Sequence, residues 1–318
     1  MNEEEILIVE PHEGGMRLDQ YLTAKFNSFS RNYFQNLIEE KLVLVNGEPV
    51  KKRILIKPAD EIEIQFSYPT EINLIPKDIP LDILYEDQSI LAIDKPKNFV
   101  VHPAPGHWED TFANALLYHC QSSSAWSEES LASLRPGIVH RLDKDTTGVL
   151  IAAKNIETQQ KLSSLFAERR VYKEYWAICV GTPKAGKVDA PIGRHPRVRQ
   201  KMAIIPEGRP AISFVDVLHS EGGLSLVKVI IATGRTHQVR LHLNYLNTPI
   251  LGDTLYGSTS ANSRFKTDRP YLHAYQLKLQ HPFKDEELAL KAPIPSDMAT
   301  IIQKHFKNYP DAHFSPTS

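Results

Sequence analysis

Pro69, Pro76 and Pro80 punctuate one short stretch of the chain. Proline lacks an amide donor and fixes φ, so neither a helix nor a central strand runs through such a segment. The chain must therefore divide there, into a short amino-terminal module and a much longer one. At roughly 150 residues per domain, 318 residues give the same count of about two. The boundaries that follow are a module over 1–67, a linker over 68–80, a second domain over 81–305 and a loosely held tail over 306–318.

In the first module, Leu18, Tyr21 and Leu22 have helical spacing, and Ser30 is placed to cap a second helix carrying Phe34, Leu37 and Ile38. A strand from Leu42 to Val45 runs into Asn46-Gly47, a strong hairpin signal, and alternation ends at Ile62, Ile64 and Phe66. In the second domain, strands are expected at Ser89–Ile93, Val149–Ala153, Tyr172–Val180, Ala211–Leu218, Leu224–Ile231 and Leu272–Leu279. Asn155 should cap a helix reaching about Arg169. Strands outnumber helices, and glycine and proline turns are frequent. That pattern indicates an α+β domain with a mixed sheet rather than a doubly wound parallel one.

The longest apolar runs, such as Val149–Ala153, fall far short of the ~20 residues that span a bilayer. The start, Met-Asn-Glu-Glu-Glu, lacks a signal-peptide pattern, and two cysteines make no disulfide framework, so a cytoplasmic protein is expected. Lys and Arg number 37 against 38 Asp and Glu, which argues against indiscriminate nucleic-acid binding. Local excess is another matter. Residues 17–57 hold eight basic side chains against four acidic, and residues 184–209 hold seven against two.

Gly181-Thr-Pro-Lys-Ala-Gly-Lys187 imitates a phosphate-binding loop, but Val188 stands where a magnesium-binding hydroxyl is required. A glycine turn between strands is the better reading. His237 and His242 lie about 500° apart around a helix and cannot ligate a metal together. No other zinc-ligand spacing occurs, and no metal or cofactor is expected.

Three segments concentrate polar chemistry. Gly137-Ile-Val-His-Arg-Leu-Asp-Lys-Asp-Thr-Thr-Gly148 places four charged side chains and a histidine between apolar stretches. If His140–Asp143 is extended, Arg141 and Asp143 face one cleft about 7 Å apart while Leu142 enters the core. A surface turn with a local ion pair is the alternative. In Gly234–His242, Thr236 is placed to cap a helix presenting Gln238, Arg240 and His242. Along Arg170–Ala177, alternation puts Tyr175 and Trp176 on opposite faces.

The run 140–148, HRLDKDTTG, resembles the signature of the RluA-type pseudouridine synthases, nearest their large-subunit ribosomal branch. Supporting segments follow in family order: Tyr85-Glu-Asp, Lys95-Pro96, Val101-His-Pro103, Lys173-Glu-Tyr175, Arg194-His-Pro196, Gly208-Arg-Pro-Ala211, Gly234–His242 and Gly252-Asp-Thr-Leu-Tyr-Gly257. The first module resembles an S4 RNA-binding domain through Arg17-Leu-Asp, Ser30-Arg31, Val45-Asn-Gly47 and Val50-Lys-Lys52, departing from its glycines at Lys41 and Ala59.

The resemblance implies a largely antiparallel catalytic sheet and an isomerase that breaks the N1–C1′ bond of uridine, rotates the base and rejoins it through C5, without cofactor or metal. It implies Asp143 as nucleophile, at either the ribose C1′ or the base C6. Arg240 becomes its ion-pair partner and Tyr175 the ring under the base. Arg141, with His140 beside it, would replace the flipped nucleotide. RNA would be gripped by Arg17, Arg31, Lys51 and Lys52, and by Arg194, Arg197, Arg199 and Lys201. The implied partner is large-subunit ribosomal RNA, free or in pre-ribosomal particles, bound by a monomer with no membrane. Transfer RNA is the rival substrate, and a non-catalytic RNA-binding assembly factor the rival function.

Overall fold

The computed structural model describes residues 3–26, 31–51, 53–66, 74–103, 107, 109–120, 136–198, 201–267 and 269–309. It falls into two compact units, 1–73 and 74–318.

The first unit is a four-stranded sheet with two helices. The order is β1 (Glu3–Ile8), α1 (Leu18–Lys25), α2 (Arg31–Glu39), β2 (Val43–Val45), β3 (Glu48–Pro49) and β4 (Glu61–Phe66). The strands lie in the order β1-β4-β2-β3 and are all antiparallel. The helices seal one side with Leu18, Tyr21, Leu22, Phe34, Leu37 and Ile38, which pack against Val43, Ile62, Ile64 and Phe66. Asn46 and Gly47 both have positive φ, 53° and 76°, as the two-residue hairpin between β2 and β3 demands. The acidic strand β1 was not anticipated, because Glu3-Glu4-Glu5 carries no apolar alternation. The expected cap, Ser30, lies outside the described residues.

The two positions where glycine was expected keep the turns that glycine would make. Lys41 has φ 61° and Ala59 φ 67°. At Lys41 the amide of Leu42 donates to Leu37 and that of Lys41 to Ile38, the paired bonds of a left-handed helix terminus.

The second unit is built on β5 (Ile83–Glu86), β6 (Ile90–Lys95), α3 (Phe112–His119), β7 (Thr147–Ala153), α4 (Ile156–Ala167), β8 (Tyr172–Val180), β9 (Gly186–Asp189), β10 (Ile192–Arg194), β11 (Met202–Ile204), β12 (Ile212–Glu221), β13 (Leu224–Ile231), α5 (Gln238–Tyr245), α6 (Thr259–Phe265), β14 (Leu272–Gln280), β15 (Glu287–Lys291) and α7 (Ser296–His305). The main sheet runs β5-β6-β7-β14-β8-β13-β12-β9, with β15 also on β14. Among its pairs only β14 with β7 is parallel, so the sheet is mixed and largely antiparallel. β10 and β11 form a separate antiparallel hairpin.

The Asn155 side chain caps α4 by accepting from the amide of Thr158 at 2.9 Å. The 181–186 segment is the connection between β8 and β9, as the glycine-turn reading requires. Of the 68–80 stretch only 74–80 is described, and it is laid along the second unit. Asn114 Nδ2 donates to the Ile75 carbonyl, and Ile79 packs beside Phe99 and Phe112. The expected loose tail is corrected at its start. Phe306 is buried with Leu226, Met298 and Ile302, and Tyr309 packs on the same cluster.

Candidate active site

The segment 138–146 crosses the end of the sheet before entering β7. Ile138 bridges to Ala152, and the Ala153 amide donates to Gly137. Leu142 is buried among Phe99, Phe112, Leu116 and Leu150, so its neighbours Arg141 and Asp143 turn to the opposite side. Asp143 then closes a tight turn in which its carbonyl accepts from the amide of Thr146.

Two buried cations clamp this turn from below. Lys95, at the end of β6, has its ammonium donating to the carbonyls of Pro96, Phe99 and Lys144 at 2.8, 2.9 and 2.9 Å. Burial pushes its pKa down to about 7, against the pull of Asp145 and Asp143. Arg269 donates to the Asp145 carbonyl at 3.3 Å while Asp297 holds its other edge at 2.7 and 2.6 Å. The glycine at 148 is obligatory. It has φ 109°, and a Cβ there would lie 2.3 Å from the Ala274 carbonyl oxygen on β14.

The opposite wall comes from the β13–α5 connection. Thr236 does not cap the helix. His237 occupies the cap position with φ 58° and no capping side-chain bond, and Gln238 organises the turn instead. Gln238 Oε1 accepts from Thr233 and from the Arg235 amide, while its Nε2 donates to Ile212 and Ser213. Two residues later, Arg240 donates from Nη1 to Asp143 Oδ2 at 3.2 Å. Its Nε and Nη2 are taken by the two oxygens of Asp253, at 2.7 and 2.8 Å. Asp253 also accepts from the amides of Leu255 and Tyr256. Arg240 and Asp253 are almost entirely covered, with side chains 7% and 1% exposed against 23% for Asp143. Burial pulls the guanidinium's pKa down, but Asp253 and then Asp143 outweigh it and hold it above its ordinary range. Anchored by Asp253, the Arg240 guanidinium thus keeps its positive charge beside Asp143.

His237 adds a third neighbour. Its Nε2 lies 3.9 Å from Asp143 Oδ2, and its Nδ1 is 2.8 Å from the Tyr256 hydroxyl, which accepts from the Met202 amide. Burial lowers the imidazole's pKa, with Asp143 opposing and Arg240 assisting.

Tyr175 stands on β8 between β13 and β14, opposite Val229 and Ala274. Trp176 points to the other face and stacks on Tyr275 at 4.3 Å, as alternation required. Tyr175 shares a cleft of about 380 Å³ with Arg141, Asp143, Phe166, Lys173 and Arg235. Burial, reinforced by the charge of Asp143, raises its phenol well above the usual tyrosine range. It is a protonated ring at neutral pH.

The sequence-expected residues separate into groups. Asp143, Tyr175, Arg240 and Arg141 converge, and Arg141 is exposed at the rim. His140 lines the same cleft, half-buried, with its ring already engaged. Its ring stacks on Phe166 at 4.8 Å, and its Nε2 accepts from the Ile151 amide at 3.0 Å. Burial depresses its pKa to about 3, so it serves as a neutral acceptor in the wall. Arg17 and Arg31, expected to hold RNA, both bond the buried carboxylate of Asp19. Lys51, Arg194 and Arg197 are exposed, and Lys201 lies 5.9 Å from the Tyr256 ring. Lys52 and Arg199 lie outside the described residues. Asp253, His237, Tyr256, Lys95 and Arg269 were not singled out as functional, although Asp253 and Tyr256 sit in the 252–257 segment and Lys95 in Lys95-Pro96.

Among the described residues, no group of three or more His, Cys, Asp or Glu could hold a metal ion, and no helix is long and apolar enough to cross a membrane. Residues 89–245 match the family model described as RNA pseudouridylate synthase, and residues 16–62 match the S4 domain. An uncharacterized RNA pseudouridine synthase of Chlorobaculum parvum is 43% identical over 91% of this chain and 94% of its own length. The ribosomal large subunit pseudouridine synthase D of Vibrio parahaemolyticus is 40% identical over 93% of this chain and 92% of its own. Among solved structures, human RNA pseudouridylate synthase domain containing 4 superposes with a TM-score of 0.55 at 28% identity, covering 70% of this chain and 92% of that one. The polar cleft and these likenesses agree: the chain belongs to the RluA family of RNA pseudouridine synthases, isomerases, here with an S4 RNA-binding domain at the amino terminus.

Proposed function

We propose that Asp143 is the nucleophile of this pseudouridine synthase and that its substrate uridines lie in large-subunit ribosomal RNA. The observation that carries the first part is the asymmetry of the carboxylate. Arg240 holds Oδ2, whereas Oδ1 accepts no hydrogen bond from the described residues, on a cleft shared with the Tyr175 ring. A charged carboxylate held by one oxygen is aimed rather than neutralised, which is what a nucleophile needs.

In the overall reaction the N1–C1′ bond breaks, a C5–C1′ bond forms, and the proton on C5 is lost as N1 gains one. Asp143 supports this by bonding transiently to C1′ or C6 and leaving unchanged. Tyr175 supplies a face for the uracil, worth about 1–3 kcal/mol by stacking. Arg141 is placed to fill the gap left by a base drawn from its stack, offsetting a cost of a few kcal/mol. The ribosomal assignment is supported by relatives of 37–40% identity, aligned over 91–93% of this chain, that are named for the ribosomal large subunit.

The test is to map pseudouridine after incubating the wild-type protein with total RNA from cells lacking it. New pseudouridine in large-subunit ribosomal RNA is the expected result. Product confined to transfer RNA would overturn the substrate, and full turnover by a folded Asp143→Asn variant would overturn the nucleophile.

A further inference from the structure

The cleft holding Asp143 is lined on one side by Arg169, Lys173 and Arg235. Among the described residues none of the three pairs with a carboxylate, whereas Arg170 next door bonds Glu168. Lys173 is half-buried on β8, two residues from Tyr175, with its ammonium 5.9 Å from the Phe166 ring. Arg235 is half-buried on the β13–α5 turn, anchored by Nε to the Pro210 carbonyl at 3.1 Å. The charges repel one another. Burial lowers the pKa of Lys173 and the charges of Arg169 and Arg235 lower it further, while burial first and then Arg209 and Arg169 lower that of Arg235.

Arg169 adds an observation of its own. It ends α4 with φ 61°, and the amides of Arg170 and Arg169 donate to Leu165 and Phe166 in the glycine-type helix terminus already seen at Lys41. A side chain at that position costs the fold backbone strain that glycine avoids. The fold bears this strain while placing a further unpaired cation on the cleft.

We propose that Arg169, Lys173 and Arg235 form a phosphate subsite that holds a backbone phosphodiester flanking the flipped uridine. The subsite rests on the RNA-modifying reading of the same cleft and specifies how the strand is held there. A phosphodiester is the matching ligand because it brings the missing negative charge and several acceptor oxygens to a point beside a base-sized pocket.

The first test needs no turnover. Uridine 3′,5′-bisphosphate and uridine are titrated separately into the full-length protein. The wild type should bind the bisphosphate at least about tenfold more tightly, and a Lys173→Met/Arg235→Met double variant should lose that preference. Equal binding of both ligands by the wild type, or an unchanged preference in the variant, overturns the subsite whatever the enzyme modifies.

The second test uses unmodified large-subunit ribosomal RNA made in vitro and the Arg169→Gly variant. Glycine should leave the melting temperature equal or higher, because it relieves the helix terminus. The RNA concentration for half-maximal rate should rise several-fold, and the slope of log affinity against log salt should flatten by about 0.7–0.9. A lowered melting temperature with unchanged affinity and slope would make Arg169 a structural residue and overturn its place in the subsite. Absence of product with wild-type protein would instead count against the ribosomal reading, with the nucleotide titration still deciding the subsite.

Discussion

Asp19 in the amino-terminal unit and Asp143 in the catalytic unit are both carboxylates held by arginine, yet they are held to opposite ends. Asp19 is wholly buried and saturated: Arg17 bonds both oxygens, and Arg31 and Gln35 share Oδ2. Burial pushes its pKa up, but Arg31, Arg17 and Gln35 outweigh that and hold it at about 2. In the catalytic unit the member held on every nitrogen is the cation. Arg240 spends three donors on two carboxylates, and Asp143 keeps an oxygen with no hydrogen bond from the described residues. A closed cluster stabilises a fold. One that satisfies its cation and leaves an acceptor over presents a reagent.

Breaking each cluster should therefore give different signatures. The largest effect is expected from Asp143→Asn, which should abolish pseudouridine formation while the melting temperature stays near wild type; the readout is product analysis on RNA beside a thermal melt. Asp253→Asn leaves the proposed nucleophile but weakens the clamp on Arg240. It should lower the maximal rate about 10–100-fold, the worth of a charge-assisted bond, with a smaller change in RNA affinity. A rate near wild type would show that Arg240 needs no second anchor.

Asp19→Asn should act the other way, destabilising the first unit by about 2–3 kcal/mol, the worth of its depressed pKa, and weakening RNA affinity while sparing turnover at saturating RNA. The pH dependence sharpens the contrast. A carboxylate whose folded pKa of about 2 lies below its unfolded value contributes stability above pH ~4, and that stability is lost as the pH falls from ~4 through ~2. Acid titration of wild type and Asp19→Asn should therefore converge at low pH. The smallest effects belong to Lys41→Gly and Ala59→Gly, each expected to stabilise the first unit by about 0.5–1 kcal/mol by relieving a left-handed residue. Denaturant melts measure them, and a loss of stability would mean that the side chains outweigh the strain.

What the sequence disclosed was mostly local. β8 and β13 occupy the limits expected of them, because alternation and flanking turns lie within the strands themselves. Asn46-Gly47 likewise specifies its hairpin from two residues. Of the residues proposed for catalysis, Asp143, Tyr175 and Arg240 were reached through the family resemblance, since physics alone left 137–148 open to being a surface turn. Asp253 and Lys95 were illegible for a different reason. Asp253 meets Arg240 across a loop, and Lys95 is a fully buried lysine whose three carbonyl acceptors come from separate positions. The segments around both residues carried the family resemblance, but nothing in them marks either side chain as buried rather than a surface charge. Short pairings such as β9 with β12 fall below any periodicity signal.

Strand β14 separates β7 from β8, although both precede it by almost a hundred residues or more. The centre of the sheet beside Tyr175 is thus supplied by a segment remote in the chain from both of its neighbours. The sheet that carries Tyr175 therefore cannot close until residues 272–280 pair with strands far earlier in the chain. Closing so long a loop is entropically costly, so insertion of this strand is expected to be among the slower steps in folding the second unit.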